Sequence, residues 1–257
     1  MATADETPYV GQELELFALA TNWKRYVKAE IGKYLVGDVL EIGSGIGGTT
    51  LALHDGSARR WVCLEPDADQ AKRLRAAVTK SWGYCAPGVI AGSLRALADK
   101  PFFDCVLYLD VLEHIQDDQR QIEAAARLVR PGGHIVVLSP AHQWLFSEFD
   151  KNIGHLRRYN KRTLRPLMPR GWTEKKLLYL DAVGSLLSLA NAIALRQALP
   201  SRGHLLLWDR LCVPLSRIVD RLLWGKFGKS VLAVWEKRND GQDAVELSRV
   251  SLPGRVI

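Results

Sequence analysis

A short apolar segment that runs directly into a glycine cluster constrains the fold more than any other part of the sequence. Asp38–Ile42 reads DVLEI, which is typical of a buried strand, and Gly43–Gly48 reads GSGIGG. A helix is predicted immediately afterwards, over Thr49–His54. This order of strand, glycine-rich turn and helix brings main-chain N–H groups at a helix start close to a ligand. The junction therefore predicts the first βα unit of a ligand-binding sheet.

Strands and helices alternate through the first 140 residues. The further strands predicted in this region are Arg60–Glu65, Val89–Ala91, Phe103–Tyr108 and His134–Ser139. The helices predicted between them are Asp67–Lys80 and Asp117–Val129, the second stopped by the breaker cluster Pro131-Gly132-Gly133. Alternation of this kind predicts an α/β fold with a doubly wound, mostly parallel sheet.

The flanking regions add helices and two more strands. Residues 10–36 have apolar side chains at helical spacing, and Lys175–Leu180 and Ser230–Lys237 read as strands. Two apolar helical stretches, Ala182–Leu199 and Leu205–Trp224, lie between these strands. The charge-free part of the first stretch is shorter than the ~20 residues of a membrane span. We expect a core or partner helix there, with peripheral membrane contact not favoured.

Composition and charge narrow the class of protein. The chain has 47% hydrophobic and 25% charged residues, which excludes a disordered chain. Four scattered cysteines without a C-x-x-C pair, and no signal peptide in the first thirty residues, predict a cytoplasmic protein. Residues 150–238 carry 18 Lys and Arg against 6 Asp and Glu, so this half could face an anionic group or simply present solvated helix faces. No nucleic-acid-binding signature is present, and nucleic acid is not expected as a partner.

The glycine cluster and two acids suggest a nucleoside-containing ligand. Gly43-x-Gly45-x-x-Gly48 satisfies the dinucleotide pattern, and Glu65 follows at a distance suited to a ribose diol. The pattern alone fits NAD and S-adenosylmethionine equally. Glu41 favours the second, because a carboxylate there attracts an ammonium group and repels a pyrophosphate. No tyrosine has a lysine four residues on, so the Tyr-x-x-x-Lys pair of short-chain oxidoreductases is absent.

Four segments together resemble the class I S-adenosylmethionine-dependent methyltransferases. They are Val39–Gly47 (VLEIGSGIG), Leu64-Glu65-Pro66, Asp104–Ile115 (DCVLYLDVLEHI) and Leu128–Leu138 (LVRPGGHIVVL). The resemblance implies a Rossmann-like, seven-stranded sheet with an antiparallel C-terminal end, to which this chain adds the helices predicted between the last two strands. It also implies S-adenosyl-L-methionine as cofactor.

The resemblance assigns cofactor contacts residue by residue. It implies that the methionine part is held by Glu41, Gly43, Ser44 and Gly45. Glu65 would bind the ribose hydroxyls, Pro66 would flank the adenosine, Ser93 stands where many members carry an acid near adenine, and Asp110 would lie at the methyl-donor end. From the residues alone, Glu41 and Glu65 could instead be surface acids, and Asp110 could cap the following turn.

The segment after the fifth strand is expected to face the acceptor, because ligands lie beyond the carboxyl ends of parallel strands. It resembles a bacterial subgroup with a Gly-His-x-Arg-Arg-Tyr stretch, here Gly154–Tyr159. The candidate bases are, in order, His155, His142 and His114. The candidate acceptor contacts are Asp150, Arg157, Arg158, Tyr159 and Trp23. An ordered loop whose groups satisfy one another is the alternative, as is local pairing of Glu113 with His114.

These expectations combine into one domain and one function. We expect a methyltransferase domain over 1–240, with an N-terminal lid helix (10–36), a cofactor-binding core (37–140), a substrate-side loop (141–173), the last strands with inserted helices (174–238), and a flexible tail (241–257). The predicted reaction is methyl transfer to an O or N atom of a small, partly hydrophobic or aromatic acceptor, which could carry an anionic group. The alternatives are an NAD-linked oxidoreductase and a non-catalytic cofactor-binding partner subunit. No metal is expected, since the spacing of His142, Asp150 and His155 matches no common zinc pattern.

Overall fold

The computed structural model describes residues 12–97, 100–190 and 201–239. Its strands are β1 (Gly37–Ile42), β2 (Ala58–Glu65), β3 (Gly88–Ala91), β4 (Phe103–Leu109), β5 (Val129–Pro140), β6 (Trp172–Leu180) and β7 (Ser230–Lys237). Its helices are α1 (Gln12–Ala18), α2 (Thr21–Ile31), α3 (Thr50–Leu53), α4 (Ala68–Trp82), α5 (Asp118–Leu128), α6 (Glu148–Asn152), α7 (Lys161–Leu164), α8 (Ala182–Ala190), α9 (Arg202–Leu207) and α10 (Val213–Leu222).

The strands form one seven-stranded sheet in the order β3-β2-β1-β4-β5-β7-β6. The pairs among β1 to β5 are parallel, whereas β7 runs antiparallel to both of its neighbours, β5 and β6. The predicted Rossmann-like sheet with an antiparallel C-terminal end is therefore confirmed. The carboxyl ends of β1, β2, β4 and β5 meet at one edge, where parallel α/β sheets bind their ligands.

Both faces of the sheet are covered, which explains why its central strands are almost continuously apolar. Successive side chains of a strand point to opposite faces, so β1 contributes Val39 to one hydrophobic core and Leu40 and Ile42 to the other. Glu41 lies on the same face as Val39. An acidic side chain is thereby directed into the protein between the sheet and its covering helices.

The N-terminal segment differs from the single helix predicted over 10–36. It forms α1 and α2, separated at Ala20, whose ψ of 69° is not helical. The main-chain N–H groups of Asn22 and Trp23 at the start of α2 donate to the carboxylate of Asp209, 3.2 and 2.9 Å away. An acid 186 residues further along the chain caps this helix, and local spacing contains no trace of such a cap.

The cluster Pro131-Gly132-Gly133 was predicted to lie before the fifth strand, but it lies within β5. The register between β4 and β5 shifts between Phe103 and Cys105, and Gly132 adopts a φ of +78°. This irregularity lets the strand continue past a proline, which lacks the N–H of a regular ladder. The cluster that would break a helix is therefore accommodated within a strand, at an irregularity of the β4–β5 pairing.

In its described residues, 182–190 and 201–229, the apolar region between β6 and β7 contains helices, as predicted. It contains α8 and a continuous helical stretch formed by α9, a single π-helical turn at Trp208–Cys212, and α10. No helix in the described residues combines the length and apolar composition needed to cross a bilayer. The second half of the predicted Ala182–Leu199 helix and the predicted tail at 241–257 lie outside the described residues.

Candidate functional site

The glycine-rich loop after β1 makes a turn that requires glycine. Gly43 has a φ of +65°, and a Cβ there would lie 2.6 Å from the side chain of Val111. The N–H of Gly43 donates to the carbonyl of Leu64 at 2.8 Å, which ties the loop to the end of β2. The main chain of the loop is therefore brought against the carboxyl edge of the sheet, as the sequence predicted.

A cavity of about 550 Å³ lies at this edge. At one end it is lined by Glu41 and the loop residues Gly43, Ser44 and Gly45. Its cover includes α1, α2, α8 and α9, which contribute apolar side chains that include Leu14, Phe17, Trp23, Leu187 and Leu205. Its other end is lined by polar side chains, among them Asp110, His114, Asp150, His155, Arg158 and Lys229. A ligand with an apolar body and polar ends fits this distribution.

Glu41 borders the cavity but is anchored behind the loop. Its Oε2 accepts hydrogen bonds from the Thr50 hydroxyl at 2.8 Å and from the Trp61 indole N–H at 2.9 Å. Only 2% of the residue is exposed. Burial raises the pKa of Glu41 to about 7, although these hydrogen bonds act in the opposite direction. The carboxyl group is thus held by neutral donors and titrates near neutrality.

Glu65 lies beneath the loop rather than on the cavity wall. Its two oxygens accept the main-chain N–H groups of Gly45, at 2.7 Å, and of Asp67, at 2.9 Å. Burial raises the pKa of Glu65, and the two main-chain hydrogen bonds lower it. Pro66 and Ser93 are exposed on the strand ends beside it, and neither lines the cavity within the described residues. The three residues predicted to contact the adenosine, Glu65, Pro66 and Ser93, therefore lie near the loop but do not line the cavity.

Asp110 lies on the cavity wall at the end of β4. Its main chain adopts a φ of +55°, uncommon for a residue with a side chain. The surrounding protein raises the pKa of Asp110 to about 6, while the charges of His155, Lys229 and Lys24 lower it. Asp110 thus lines the cavity, and its place at the methyl-donor end stays a prediction.

The polar end is organised around Asp150, which is fully buried. Its Oδ1 lies 2.8 Å from His155 Nδ1, and Arg158 donates to both carboxylate oxygens from Nε and Nη2, each at 2.8 Å. Burial by itself raises the pKa of Asp150, but the hydrogen bonds from His155 and Arg158 outweigh it and hold the pKa well below its usual range. The sequence-predicted residues Asp150, His155 and Arg158 thus form one network on the cavity wall.

Two further residues of the LDVLEHI segment meet this network. The His114 and His155 rings are edge to face, with centroids 4.6 Å apart, and Glu113 Oε1 lies 3.7 Å from His155 Nε2. Burial and the charge of His155 lower the pKa of His114 to about 4. Burial and the neighbouring Asp110 raise the pKa of Glu113 well above its usual value.

Three predicted site residues point elsewhere. The His142 ring lies against Tyr179 and Phe227, with centroid separations of 4.7 and 5.5 Å. Arg157 binds Asp118 at 2.8 Å, and the Tyr159 hydroxyl donates to the same carboxylate at 2.6 Å. Within the described residues none of the three lines the cavity. These three groups bind other parts of the protein and hold the segment in place. This agrees with the alternative of an ordered loop whose groups satisfy one another.

The cover is fastened by buried acids that sequence reasoning missed. Asp209 caps α2 next to Trp23, which lines the cavity as predicted. Asp220 accepts from the Tyr26 hydroxyl at 2.9 Å, and Asp181 accepts from the Trp208 indole at 2.6 Å. All three aspartates are at most 4% exposed. One feature of the sequence could have indicated them: these aspartates are isolated acids within an apolar, otherwise basic stretch.

Two lysines on the cavity wall were also missed. Lys24 donates to the carbonyls of Phe17 and Ala18, at 2.6 and 3.0 Å. Burial lowers the pKa of Lys24 to about 8, and the charges of Asp209 and Asp110 act against this. Burial also lowers the pKa of Lys229, whose Nζ lies 3.4 Å from Asp181 Oδ2 and 3.7 Å from the centroid of the Trp208 ring.

The site fits the cofactor that the sequence resemblance implies. The cavity presents acidic side chains and bare main chain at one end, which suits a cationic ligand with an ammonium group. Glu65 uses one hydrogen bond on each oxygen, and an ionised carboxylate has about four acceptor positions, so it can also accept ribose hydroxyls.

Comparisons with known proteins agree with this geometry. Residues 40–137 match a family described as "Methyltransferase domain". Ubiquinone biosynthesis O-methyltransferase from Alkalilimnicola ehrlichii is 35% identical over 103 residues, which are 38% of this chain and 39% of that protein. Norajmaline N-methyltransferase from Rauvolfia serpentina is 29% identical over 112 residues, 41% of this chain and 37% of that protein. The chain thus matches about two fifths of the length of these relatives.

A solved structure extends the likeness in fold. Phosphoethanolamine N-methyltransferase 2 from Haemonchus contortus, crystallised with phosphomonomethylethanolamine and S-adenosylhomocysteine, superposes with a TM-score of 0.62 at 14% identity. The superposition covers 91% of this chain and 58% of that one. Residues 40–137 therefore match a methyltransferase domain family, and the likeness to the solved structure is one of fold.

Proposed function

We propose that this chain transfers the methyl group of S-adenosylmethionine to an oxygen or nitrogen atom of a small acceptor. The observation that carries the proposal is one continuous cavity. It borders Gly43 and Gly45 at the cofactor end and His155 and Arg158 at the polar end. A methyl donor and an acceptor can therefore lie in contact within a single space.

The chain's own residues hold and align the cofactor in this proposal. The glycine loop gives close main-chain approach, and Asp110 and Glu41 line the wall, with Glu41 titrating near neutrality. The remaining acceptor positions of Glu65, beneath the loop, are the ones proposed for the ribose hydroxyls. The bound cofactor supplies an electrophilic methyl group. The protein contributes alignment and exclusion of water, which supply up to about 7–11 kcal/mol in favourable cases.

The acceptor end favours a partly hydrophobic molecule. Phe17, Trp23 and Leu205 give it an apolar cover, and Arg158 and Lys229 give it positive charge. Both cations are paired with buried aspartates, Arg158 with Asp150 and Lys229 with Asp181. An anionic group on the acceptor would therefore share each cation with its aspartate. The names of the curated relatives include an O- and an N-methyltransferase, which supports an oxygen or nitrogen acceptor in general.

Geometry orders the candidate bases. His155 and His114 line the cavity, and His142 does not. The Nδ1 of His155 is bound to Asp150, which leaves Nε2 for a proton from a hydroxyl acceptor. An amine acceptor has less need of a base. We therefore place His155 first and His114 second for a hydroxyl acceptor.

Calorimetric titration of the full chain with S-adenosylhomocysteine and, separately, with NADH tests the proposal. We expect binding of the first and none of the second, because the loop end carries acids that repel a pyrophosphate. Methyl release is then followed with radiolabelled cofactor against pools of phenols, catechols, amines and N-heteroaromatics. Absence of S-adenosylhomocysteine binding would disprove the proposal, and binding without methyl release in any pool would favour a non-catalytic partner subunit.

A further inference from the structure

A buried carboxylate beside the cavity lacks hydrogen-bond partners. Glu113 is 0% exposed, and neither of its carboxylate oxygens has a hydrogen-bond partner among the described residues. The main-chain N–H of Glu113 itself and the Ser139 hydroxyl are close enough to lower the pKa of Glu113, yet neither makes a hydrogen bond of acceptable geometry with its carboxylate. An unsatisfied buried carboxylate is costly, and native proteins seldom keep one without a ligand or a function.

The group facing Glu113 is the free edge of an oriented imidazole. Asp150 binds His155 through Nδ1, so Nε2 is the nitrogen directed at Glu113 Oε1, 3.7 Å away. This separation is too long for a hydrogen bond. Zinc–ligand bonds of about 2.0–2.1 Å put neighbouring ligand atoms of a tetrahedral site about 3.4 Å apart. The spacing of the two atoms is thus close to that of two ligands on one ion.

A second imidazole completes the cluster. His114 follows Glu113 in the chain, and ligand atoms of Glu113, His114 and His155 all lie within 4.8 Å of one another. His114 and His155 both line the cavity, so an ion has an entry path and faces the proposed acceptor.

We propose that Glu113, His114 and His155 bind a divalent transition-metal ion at the polar end of the cavity. Asp150 is then a positioning residue, since a carboxylate that accepts the second N–H of a ligating histidine fixes its tautomer and orientation. One carboxylate and two imidazoles favour zinc-like ions, whereas Mg²⁺ and Ca²⁺ prefer all-oxygen ligand sets. The cluster shares only His155 with a site of His142, Asp150 and His155, whose spacing had argued against a metal.

The role of the ion rests on the proposed function, but its binding does not. Two histidines and one carboxylate leave coordination positions open toward the cavity, as in catalytic zinc sites. An oxygen of the acceptor can occupy such a position and be oriented for methylation. With the ion bound, His155 and His114 are ligands, and the role of base proposed for them applies only to the metal-free site. Metal binding can be measured without any acceptor.

The test uses the full chain after treatment with EDTA and removal of the chelator. Calorimetric titration with Zn²⁺ is compared with Mg²⁺, and Co²⁺ serves as a spectroscopic probe of imidazole and carboxylate coordination. We expect about one Zn²⁺ per chain, visible ligand-field bands with Co²⁺, and little heat with Mg²⁺. Glu113→Gln, His155→Asn and Asp150→Asn should each weaken Zn²⁺ binding, by about 10- to 100-fold for Asp150→Asn.

A matched control separates this cluster from adventitious binding. His134→Asn removes an imidazole near the start of the regular part of β5, away from the carboxyl edge, and should leave Zn²⁺ affinity unchanged. S-adenosylhomocysteine titration of every variant shows whether it has folded and tests the proposed function separately. Absence of Zn²⁺ heat and Co²⁺ bands in the wild-type chain would overturn the metal proposal. Zn²⁺ binding unchanged in Glu113→Gln and His155→Asn would overturn it equally.

Discussion

Two carboxyl groups at opposite ends of the cavity are equally buried, and they titrate in opposite directions. Glu41 at the loop end has neutral donors, the Thr50 hydroxyl and the Trp61 indole, and burial raises its pKa to about 7. Asp150 at the polar end has His155 and Arg158, and these partners hold its pKa well below the usual range despite burial. The charge of the partners therefore decides the charge of a buried acid, because an ion pair offsets the desolvation that neutral donors cannot.

The contrast also separates two kinds of construction. The partners of Glu41 lie within about twenty residues, on β2 and α3, and Thr50 follows the glycine loop directly. The polar end joins two segments that are distant in the chain: Asp150 binds His155 and Arg158 a few residues away, and His155 faces Glu113, about forty residues earlier. We expect a single substitution at the loop end to have a small effect on stability. A single substitution at the polar end should have a large one, because it disturbs several linked side chains.

The largest expected effect comes from breaking that network with Asp150→Ala. Arg158 has a side chain only 11% exposed, and the substitution leaves its charge without the carboxylate that offsets it. Breaking a buried pair in this way typically costs about 3–5 kcal/mol. Urea unfolding at pH 7.5 should show a loss of this order in the free energy of unfolding.

Glu148→Ala is the matched control, because it lies in the same short helix and its partner Lys151 is exposed. An exposed pair contributes about 0–1 kcal/mol. The depressed pKa of Asp150 also sets a pH dependence: its contribution is present above the ordinary carboxyl pKa and is lost as the pH falls below it. The difference in the free energy of unfolding between wild type and Asp150→Ala should therefore become smaller at acidic pH. Equal losses for the two variants would contradict the network.

A smaller effect, of opposite sign in pH, is expected for Glu41→Gln. Because folding raises the pKa of Glu41 from 4.5 to about 7, its stabilising contribution is present below pH 4.5 and is lost as the pH rises through 7. Each unit of pKa shift corresponds to about 1.4 kcal/mol. Urea unfolding between pH 5 and 8 should give a shallower decline for Glu41→Gln than for wild type. Glu123→Gln, exposed on α5, removes the same charge and should reproduce the wild-type slope.

The smallest expected effect tests the loop end as a local unit. Gly43 and Gly56 both have positive φ, but a Cβ would meet Val111 at 2.6 Å in the first and nothing within 4 Å in the second. Gly43→Ala should therefore cost about 1–3 kcal/mol more than Gly56→Ala, the usual range for overpacking. Thermal unfolding measures this difference. S-adenosylhomocysteine affinity should fall for Gly43→Ala and stay at the wild-type value for Gly56→Ala.

Sequence patterns predicted the sheet well and the N-terminal cover poorly. Strand β7 was predicted with the bounds that the structure shows, Ser230–Lys237, because a buried strand can be identified from its own run of apolar residues. The break between α1 and α2 was missed, because its helix start is capped by Asp209, 186 residues away in sequence. The strand character of Pro131 was missed because a bulge depends on pairing with β4.

The amino-acid sequence determined by itself the α/β alternation, the glycine turn after β1 and the acids beside it, since short-range sterics and hydrophobic periodicity act within a few residues. Only the tertiary structure decided that Glu65 turns under the loop, that His142, Arg157 and Tyr159 face away from the cavity, and that Glu113 meets His155. These outcomes depend on which distant groups share a buried space, because burial and partner charge together fix hydrogen bonding and protonation.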